Sequence, residues 1–290
     1  MIERLYSVNE RGDKVELSTL SRYHVNISKD VSGLSDINNK LYTINSMGQD
    51  GDTYIGNRIE ARDIEIVGHL KARDKTAQQV LRRQLNHILN PQYMAQFVYE
   101  YGDFKRVIDC KIESAPVYKP STVYPEFTIQ LVCLNPFWHE ESDTREDIAI
   151  WEGGFEFELE LDENWEIGNR QPSLIVDVYN SGDVKSGMKI YFRALGTVVN
   201  PLLLNVDTLE YIKINYTMAA GDVLIVTTGY GEKDISLLSG GVTTDAFRYL
   251  DPDSTHLQLD VGDNLFRYDA QSDVDNLEVS IYHKNYYLGV

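Results

Sequence analysis

The sequence predicts a mainly β protein of two domains that carries a single α-helix. Short segments in which apolar and polar residues alternate recur along the whole chain, and this alternation is typical of half-buried strands. Clusters of Gly, Asn and Asp separate the segments, as expected of tight turns. At 290 residues, the chain is also longer than one hydrophobic core usually fills, which favours two domains.

The first half is predicted to fold as strands around one helix. Arg11-Gly12-Asp13 is typical of a hairpin turn, and residues 48–52 form a glycine-rich loop. Gly102-Asp103 joins two further strands in a tight hairpin. The predicted strands span residues 14–17, 23–27, 57–70, 94–101, 104–114 and 126–134.

The helix is predicted from its cap, its apolar spacing and its end. Asp74 can accept a hydrogen bond from the first turn, and Asn90-Pro91 stops the helix. The apolar residues recur every three or four positions: Ala77, Val80, Leu81, Leu85 and Ile88. We therefore expect this helix to cover an apolar face of a sheet.

The second half is predicted to be an antiparallel sandwich of jelly-roll type. It contains short alternating segments at regular spacing and no helical pattern. Residues 139–147 (HEESDTRED) are polar and lack periodicity, which indicates a linker. The sequence thus predicts two domains, 1–140 and 141–290. The predicted strands of the second span residues 155–161, 174–178, 188–194, 202–206, 211–216, 223–228, 235–238, 256–259, 264–268 and 277–282.

The net charge of −18 is unevenly distributed. Residues 1–140 carry 17 basic and 18 acidic side chains, a balance of −1, whereas residues 141–290 carry 10 and 27, a balance of −17. Such acidity argues against duplex nucleic acid as a direct ligand, because phosphate contacts need basic patches. Two halves that differ so much favour different neighbours, although an acidic second half is equally typical of a solubilising surface.

Cysteine usage and the N-terminus indicate where the protein is made. Cys110 and Cys133, the two cysteines of the chain, fall on the apolar faces of their strands, as small buried hydrophobes do. Nothing in the pattern indicates a disulfide-dependent scaffold. The first residues lack an apolar signal core, and no run of about 18 apolar residues occurs. We expect a soluble protein made in a reducing compartment.

We find no catalytic constellation and predict that the protein is not an enzyme. The chain has neither a GxxxxGK[ST] phosphate loop nor a GxSxG motif, and Gly229-Tyr230-Gly231 lies between strands. His139-Glu140 is followed by Asp143 where a zinc protease needs histidine. No catalytic, cofactor-binding or metal-binding residue is therefore predicted, and no cofactor.

We interpret three acidic clusters as structural rather than functional. Glu156, Glu158 and Glu160 alternate with apolar residues and are typical of the solvent face of a strand, rather than of an acid/base pair or a cation site. The segments 251–253 and 273–275, each with two aspartates, lack the Gly and distal Glu of a calcium loop. We interpret both as turns.

The order of these motifs resembles the siphophage distal tail protein family. In the first half the resemblance is carried by GNRIEARDIEIVGHL, KTAQQVLRRQLNHILNP, FKRVIDCKIESAPVY and EFTIQLVCLNPFW, between Tyr54 and Trp138. In the second half it is carried by AGDVLIVTTGYGEKDISL, STHLQLDVGDNLFRY and LEVSIYHKNYYLGV. Each motif alone is modest, but their order and spacing are specific.

The resemblance implies a fold and a role. Members have an N-terminal β-sandwich with one α-helix that forms a homo-hexameric ring, and a C-terminal galectin-like β-sandwich. The ring is a baseplate hub that links the tail tube to tail-tip and receptor-binding proteins. We expect a virion structural protein of a phage or prophage, located at the tail tip and assembled in the bacterial host cytoplasm, with no membrane or nucleic-acid recognition. Tail-like bacteriocins use the same parts, and the sequence is compatible with either setting.

The distribution of charge suggests which half makes the ring. Six strongly acidic domains crowded at a pore would repel one another, so we expect the first domain to form the ring and the second to stay outside it. The alternative function is a carbohydrate-binding module for host-surface glycans. The second half lacks the His-x-Asn-x-Arg cluster of galectins, and His24-Val25-Asn26 lies in the other half without the arginine.

Overall fold

A computed structural model describes residues 3–17, 25–119, 124–147, 151–152, 169–170 and 175–290. The chain forms two compact units: Met1–Glu141 together with Tyr287–Val290, and Ser142–Tyr286. Residues 287–290 therefore belong with the first unit, although the sequence places them in the second domain. Within the described residues, no helix has the length and apolar character needed to cross a membrane.

The first unit is built on one large antiparallel sheet. Its strand order is β2-β1-β7-β8-β10-β6-β3, with β9 and β11 attached to β10 and β8. The elements are β1 Glu3–Asn9, β2 Lys14–Glu16, β3 Val25–Ser32, β4 Asn39–Ile44, β5 Thr53–Ile59, β6 Arg62–Leu70, α1 Lys75–Ile88, β7 Met94–Tyr101, β8 Phe104–Ile112, β9 Val117–Lys119, β10 Glu126–Cys133 and β11 Trp138–His139.

Alternation explains the packing of this sheet. In β6 every second residue is buried, and the same holds along β10, which pairs with it from Glu126 opposite His69 to Cys133 opposite Arg62. Their inward side chains join one core with Phe97 and Trp138. Cys110 and Cys133 are free thiols buried in that core, as their strand positions predict.

The predicted turns and helix are confirmed. Residues 10–13 turn β1 into β2, with Gly12 at φ +85 and Asn9 Oδ1 accepting hydrogen bonds from two backbone N–H groups of the turn. Asp74 caps α1 by accepting a hydrogen bond from the Ala77 N–H at 2.8 Å. Leu85 of α1 and Leu89, which follows it, are buried in the core.

One predicted strand is wrong as a single element. Residues 57–70 were predicted to be continuous, but the structure breaks them between Ile59 and Arg62. The earlier part belongs to β5, which pairs with β4 in a separate two-stranded sheet. The later part is β6 in the large sheet. For the strand predicted at 23–27, β3 begins at Val25, and residues 23 and 24 lie outside the described part of the chain.

The second unit is an antiparallel sandwich of two sheets. Their orders are β12-β24-β16-β20-β21-β22 and β15-β23-β17-β18, with β19 attached to β17. The strands are β12 Thr144–Asp147, β13 Trp151–Glu152, β14 Asn169–Arg170, β15 Ile175–Asn180, β16 Met188–Ala194, β17 Val198–Asn205, β18 Tyr211–Lys213, β19 Thr217–Met218, β20 Val223–Thr227, β21 Asp234–Ser239, β22 Val242–Asp245, β23 Gly262–Ser272 and β24 Leu277–His283. Of these, β13 and β14 pair with each other in a separate two-stranded sheet. The last strand of the chain, β25 Tyr286–Tyr287, pairs with β11 in the large sheet. Short 3-10 turns span Phe247–Tyr249 and Val274–Asn276.

The inner faces of the two sheets form one core. Phe192 and Val226 from the first sheet and Leu203 and Phe266 from the second are fully buried in the same cluster. Two expectations fail in this unit. The linker predicted at 139–147 contains β12, which pairs with β24 at the edge of the first sheet. Residues 256–259 make a single bridge, from Leu259 to Ser186, and no strand.

Candidate assembly surfaces

The described residues that were weighed for catalysis make structural contacts. His139 is buried, with Nδ1 2.6 Å from the Glu140 carbonyl oxygen and Nε2 3.3 Å from Asp109 Oδ2. Asp143 instead lies 3.7 Å from Lys284 Nζ. Throughout the described residues, no three His, Cys, Asp or Glu side chains are grouped as metal ligands. His139 and Glu140 therefore have structural contacts.

The acidic segments of the second unit are turns, as predicted. Asp251 Oδ1 accepts a hydrogen bond from the Asp253 N–H at 3.1 Å, and Asn215 donates to Asp251 Oδ2 at 3.0 Å. These bonds, led by the one from Asn215, hold the pKa of the Asp251 carboxyl below its ordinary value. Asp273 adopts φ +60 just before the Val274–Asn276 turn. The alternating glutamates 156, 158 and 160, and His24, lie outside the described residues.

The most unusual surface of the first unit is the hairpin formed by β4 and β5. Nearly every residue of both strands is exposed, so in the described part of the chain neither face of this two-stranded sheet is covered. Six large apolar side chains on it and on its turn are between 43% and 107% exposed: Leu41, Tyr42, Ile44, Met47, Tyr54 and Ile55. Exposed apolar side chains concentrated in one small element are typical of an interaction site.

The hairpin is held together by local polar contacts rather than by a core. Tyr54 donates to Asn57 Oδ1 at 2.6 Å, and Asn57 donates across the strands to Asn39 Oδ1 at 2.9 Å. Near the turn, Gln49 donates to Thr53 Oγ1 at 2.9 Å. An isolated two-stranded hairpin is only marginally stable in water. A partner that covers the apolar residues would stabilise it.

A buried arginine fixes the base of the hairpin. The chain leaves the large sheet after Ser32 and returns at Arg62, whose side chain is 1% exposed. The guanidinium donates to the carbonyl oxygens of Pro136 at 2.8 Å, Gly33 at 2.8 Å, Leu34 at 2.9 Å, and Leu288. Burial lowers the pKa of Arg62 from its ordinary value, but the charge is retained because that value is so high.

The backbone around this arginine leaves no room for a side chain at residue 33. Gly33 has φ +84, and a Cβ there would lie 2.1 Å from the Asp63 carbonyl oxygen. Trp138 adds a hydrogen bond of 3.0 Å from its indole nitrogen to the Leu34 carbonyl oxygen. The two ends of the hairpin segment are thus tied to each other and to the core of the first unit.

Residues 287–290 complete the first unit beside the same arginine. Tyr287 donates from its hydroxyl to Glu140 Oε1 at 2.9 Å, and Arg106 lies over its ring at 3.9 Å. Ser35 donates to the Val290 carbonyl oxygen at 2.8 Å. Tyr287 and Val290 also pack against the core of the unit. These residues are therefore part of the support of the hairpin base.

Sequence reasoning missed both the hairpin and the role of Arg62. The hairpin had a signal, since two segments rich in β-branched and aromatic residues, 41–44 and 53–55, flank the glycine-rich loop 48–52. Arg62 had none, because its four acceptors are 28 to 226 residues away in the chain.

Family models match both halves of the chain in the expected order. Residues 11–133 match the phage tail protein RIFT-related domain, and residues 181–287 match the C-terminal domain of the siphovirus-type tail component. The chain belongs to the siphophage distal tail protein family. At the level of whole sequences, no curated protein matches this distal tail protein.

Solved structures share the fold of this distal tail protein over nearly its whole length. The crystal structure of the Dit protein of phage SPP1 superposes with a TM-score of 0.71 at 13% identity, covering 97% of this chain and 98% of that one. A chain of the phage P2 baseplate, in its activated conformation with Ca, gives a TM-score of 0.56 at 11% identity and 98% coverage of both. The form with Sr gives the same values.

Proposed function

We propose that this protein is the ring-forming hub of a phage or phage-like tail tip, which links the tail tube to tip and receptor-binding proteins. The carrying observation is the presence of both tail-protein domains in order. The fold supports it, because the SPP1 Dit structure is described as a paradigm of the hub adsorption apparatus. The protein would be assembled in the cytoplasm of the bacterial host and reside at the tail tip.

We propose a homo-hexamer whose ring contacts are made by the first unit. The exposed β4–β5 hairpin supports self-association, since covering one large apolar side chain contributes roughly 1.5–3 kcal/mol. Residues 1–140 carry a balance of only −1, so copies of this unit approach one another at little electrostatic cost. Residues 141–290, with a balance of −17, would repel one another if crowded together, and we propose that they lie outside the ring.

The ring proposal is tested by making the hairpin polar. In Leu41→Thr/Ile55→Thr, two exposed apolar residues become polar without losing strand propensity. Because they are already exposed, the free energy of unfolding of the single chain should change by no more than about 0.5 kcal/mol. Self-association, measured by sedimentation equilibrium, should weaken by on the order of 10-fold or more for each residue.

A control substitution separates this effect from general loss of apolar surface. Leu209, in a loop of the second unit, is 72% exposed and has φ +60, a conformation that asparagine tolerates well. Leu209→Asn should leave the association constant unchanged. Equal weakening in both variants, or unchanged association in the hairpin variant, would contradict a ring built through the hairpin.

We further propose that the protein has no catalytic activity and requires no cofactor, as befits a structural tail protein. The competing function is binding of host-surface glycans by the second unit. A saccharide titration of the full chain distinguishes the two: the hub proposal expects no specific binding. Saturable binding by a monomeric chain would favour the adhesion module instead.

A further inference from the structure

The most basic stretch of this acidic protein lies at the start of α1. Residues 71–83 contain five cationic side chains and one carboxylate, a local balance of +4 in a chain of net charge −18. The rest of residues 1–140 then has a balance of −5. The cations are Lys71, Arg73, Lys75, Arg82 and Arg83. A positive patch of this size on an acidic chain creates a local field that favours an acidic partner.

The helix carries Lys75, Arg82 and Arg83 on one side, where Lys75 and Arg83 are exposed and Arg82 is half-buried. At 3.6 residues per turn, positions 75, 79, 82, 83 and 86 fall within roughly 100° of its circumference. Leu85, on the other side, is buried. The hydroxyl of Tyr118 fixes the helix by donating to Asn86 Oδ1 at 2.8 Å, and its ring lies 4.7 Å from the Arg82 guanidinium carbon. The basic helix face, defined by Lys75, Arg82 and Arg83 together with Arg73 just before the helix, is therefore carried by a helix of fixed orientation.

Most of these cations have no ion-pair partner among the described residues. Arg73, Lys75 and Arg83 are exposed and make no ion pair there. In contrast, Lys119 of the same unit lies 3.1 Å from Glu126. Val80, beside the basic helix face, is 52% exposed and adds apolar surface to it. Unneutralised charge next to apolar surface is the composition of a docking site.

We propose that the basic helix face docks against the acidic region 141–290 of a neighbouring copy of this chain. This inference rests on the proposed ring. Each copy then supplies both partners, a +4 stretch and a region with a balance of −17. A contact between two different surfaces of identical chains is head-to-tail, so in a ring whose first units already touch it adds a second contact between each pair of neighbours. The basic helix face would supply positive charge to residues 141–290, which carry only 10 basic side chains against 27 acidic ones.

Charge reversal tests the basic helix face in the full chain. Lys75→Glu/Arg83→Glu should weaken self-association on the order of 10-fold or more, because each exposed charge pair makes a small contribution and reversal replaces attraction with repulsion. The charge-preserving variant Lys75→Arg/Arg83→Lys should associate like the native protein. Arg11→Glu/Lys111→Glu, which changes the net charge equally elsewhere on the unit, should have a smaller effect. Equal weakening in both reversed variants would overturn the assignment.

Zero-length crosslinking identifies which part of the neighbouring copy contacts the basic helix face. Carbodiimide joins a lysine amine to a carboxylate as an amide with loss of water, so it couples only groups already in contact. In an equal mixture of light and isotopically heavy chains, Lys71 and Lys75 should be linked to Asp or Glu of residues 141–290 of the other isotope. Links confined to one chain, links only to residues 1–140, or no links would overturn the proposal.

The outcomes separate this inference from the ring itself. A native protein that remains monomeric at every concentration refutes the proposed ring. If the native protein and Lys75→Glu/Arg83→Glu form rings equally well, the ring stands and only the proposed docking of the basic helix face is refuted. The native ring should also weaken as salt rises from about 0.05 M to about 0.5 M, because exposed pairs are screened.

Discussion

Replacing Arg62 with methionine should strongly destabilise the first unit. Methionine has a similar reach but no donors, so four carbonyl oxygens lose the hydrogen bonds that the guanidinium donates, two of these bonds being fully buried. Each hydrogen bond contributes a net stability of about 1 kcal/mol, and disrupting a buried charged network generally costs about 3–5 kcal/mol. We therefore expect the free energy of unfolding to fall by about 4 kcal/mol.

Calorimetry of the full chain measures this loss. A change of about 4 kcal/mol corresponds to a decrease in Tm of roughly 10–15 °C for a unit of this size, confined to the transition of the first unit. Arg62→Lys keeps the charge but cannot reach four acceptors, so its loss should be intermediate. Arg58→Met removes an exposed arginine of the hairpin and should cost less than about 0.5 kcal/mol. A loss under about 1 kcal/mol in Arg62→Met would refute the role of Arg62 at the hairpin base.

Three further predictions concern the core, residues 287–290 and the boundary between the units. Burial raises the pKa of Cys133 to about 12 and also raises that of Cys110. Neither thiol should therefore react with a disulfide reagent near pH 8 until the protein unfolds. The substitution Cys133→Ala should lower the free energy of unfolding by about 1 kcal/mol. Deleting residues 287–290 should lower the Tm of the first unit and leave that of the second unit unchanged. An unchanged Tm of the first unit would contradict the placement of these residues in it. Limited proteolysis should cut first within residues 140–143, between β11 and β12, and leave two stable fragments; initial cleavage inside β15–β24 would argue against two separate domains.

The sequence predicted best where one face of an element is buried. The strand predicted at 188–194 coincides with β16, because its inward residues Met188, Ile190, Phe192 and Ala194 alternate strictly with outward ones. The helix and both hairpin turns of the first half were predicted from local chemistry, namely the Asp74 cap and the residue pairs at the turns. The family resemblance followed from the order of these elements and is confirmed by the family models.

The sequence predicted least where stability comes from distant contacts or from a partner. Both faces of β4 and β5 are exposed, so no alternation marks them. β12 is a charged edge strand, Thr144–Asp147, whose pairing with β24 depends on residues more than a hundred positions away. The contact of Arg62 with Leu288 spans 226 positions. Such contacts are set by the assembled fold and not by any local pattern.

The mass of the native assembly tests the central claim most directly. Native mass spectrometry of the purified full chain should give six times the 33.2 kDa of one chain, and class averages from electron microscopy should show a sixfold ring. A folded protein that has the mass of a single chain at every concentration tested would contradict the account of a ring-forming hub.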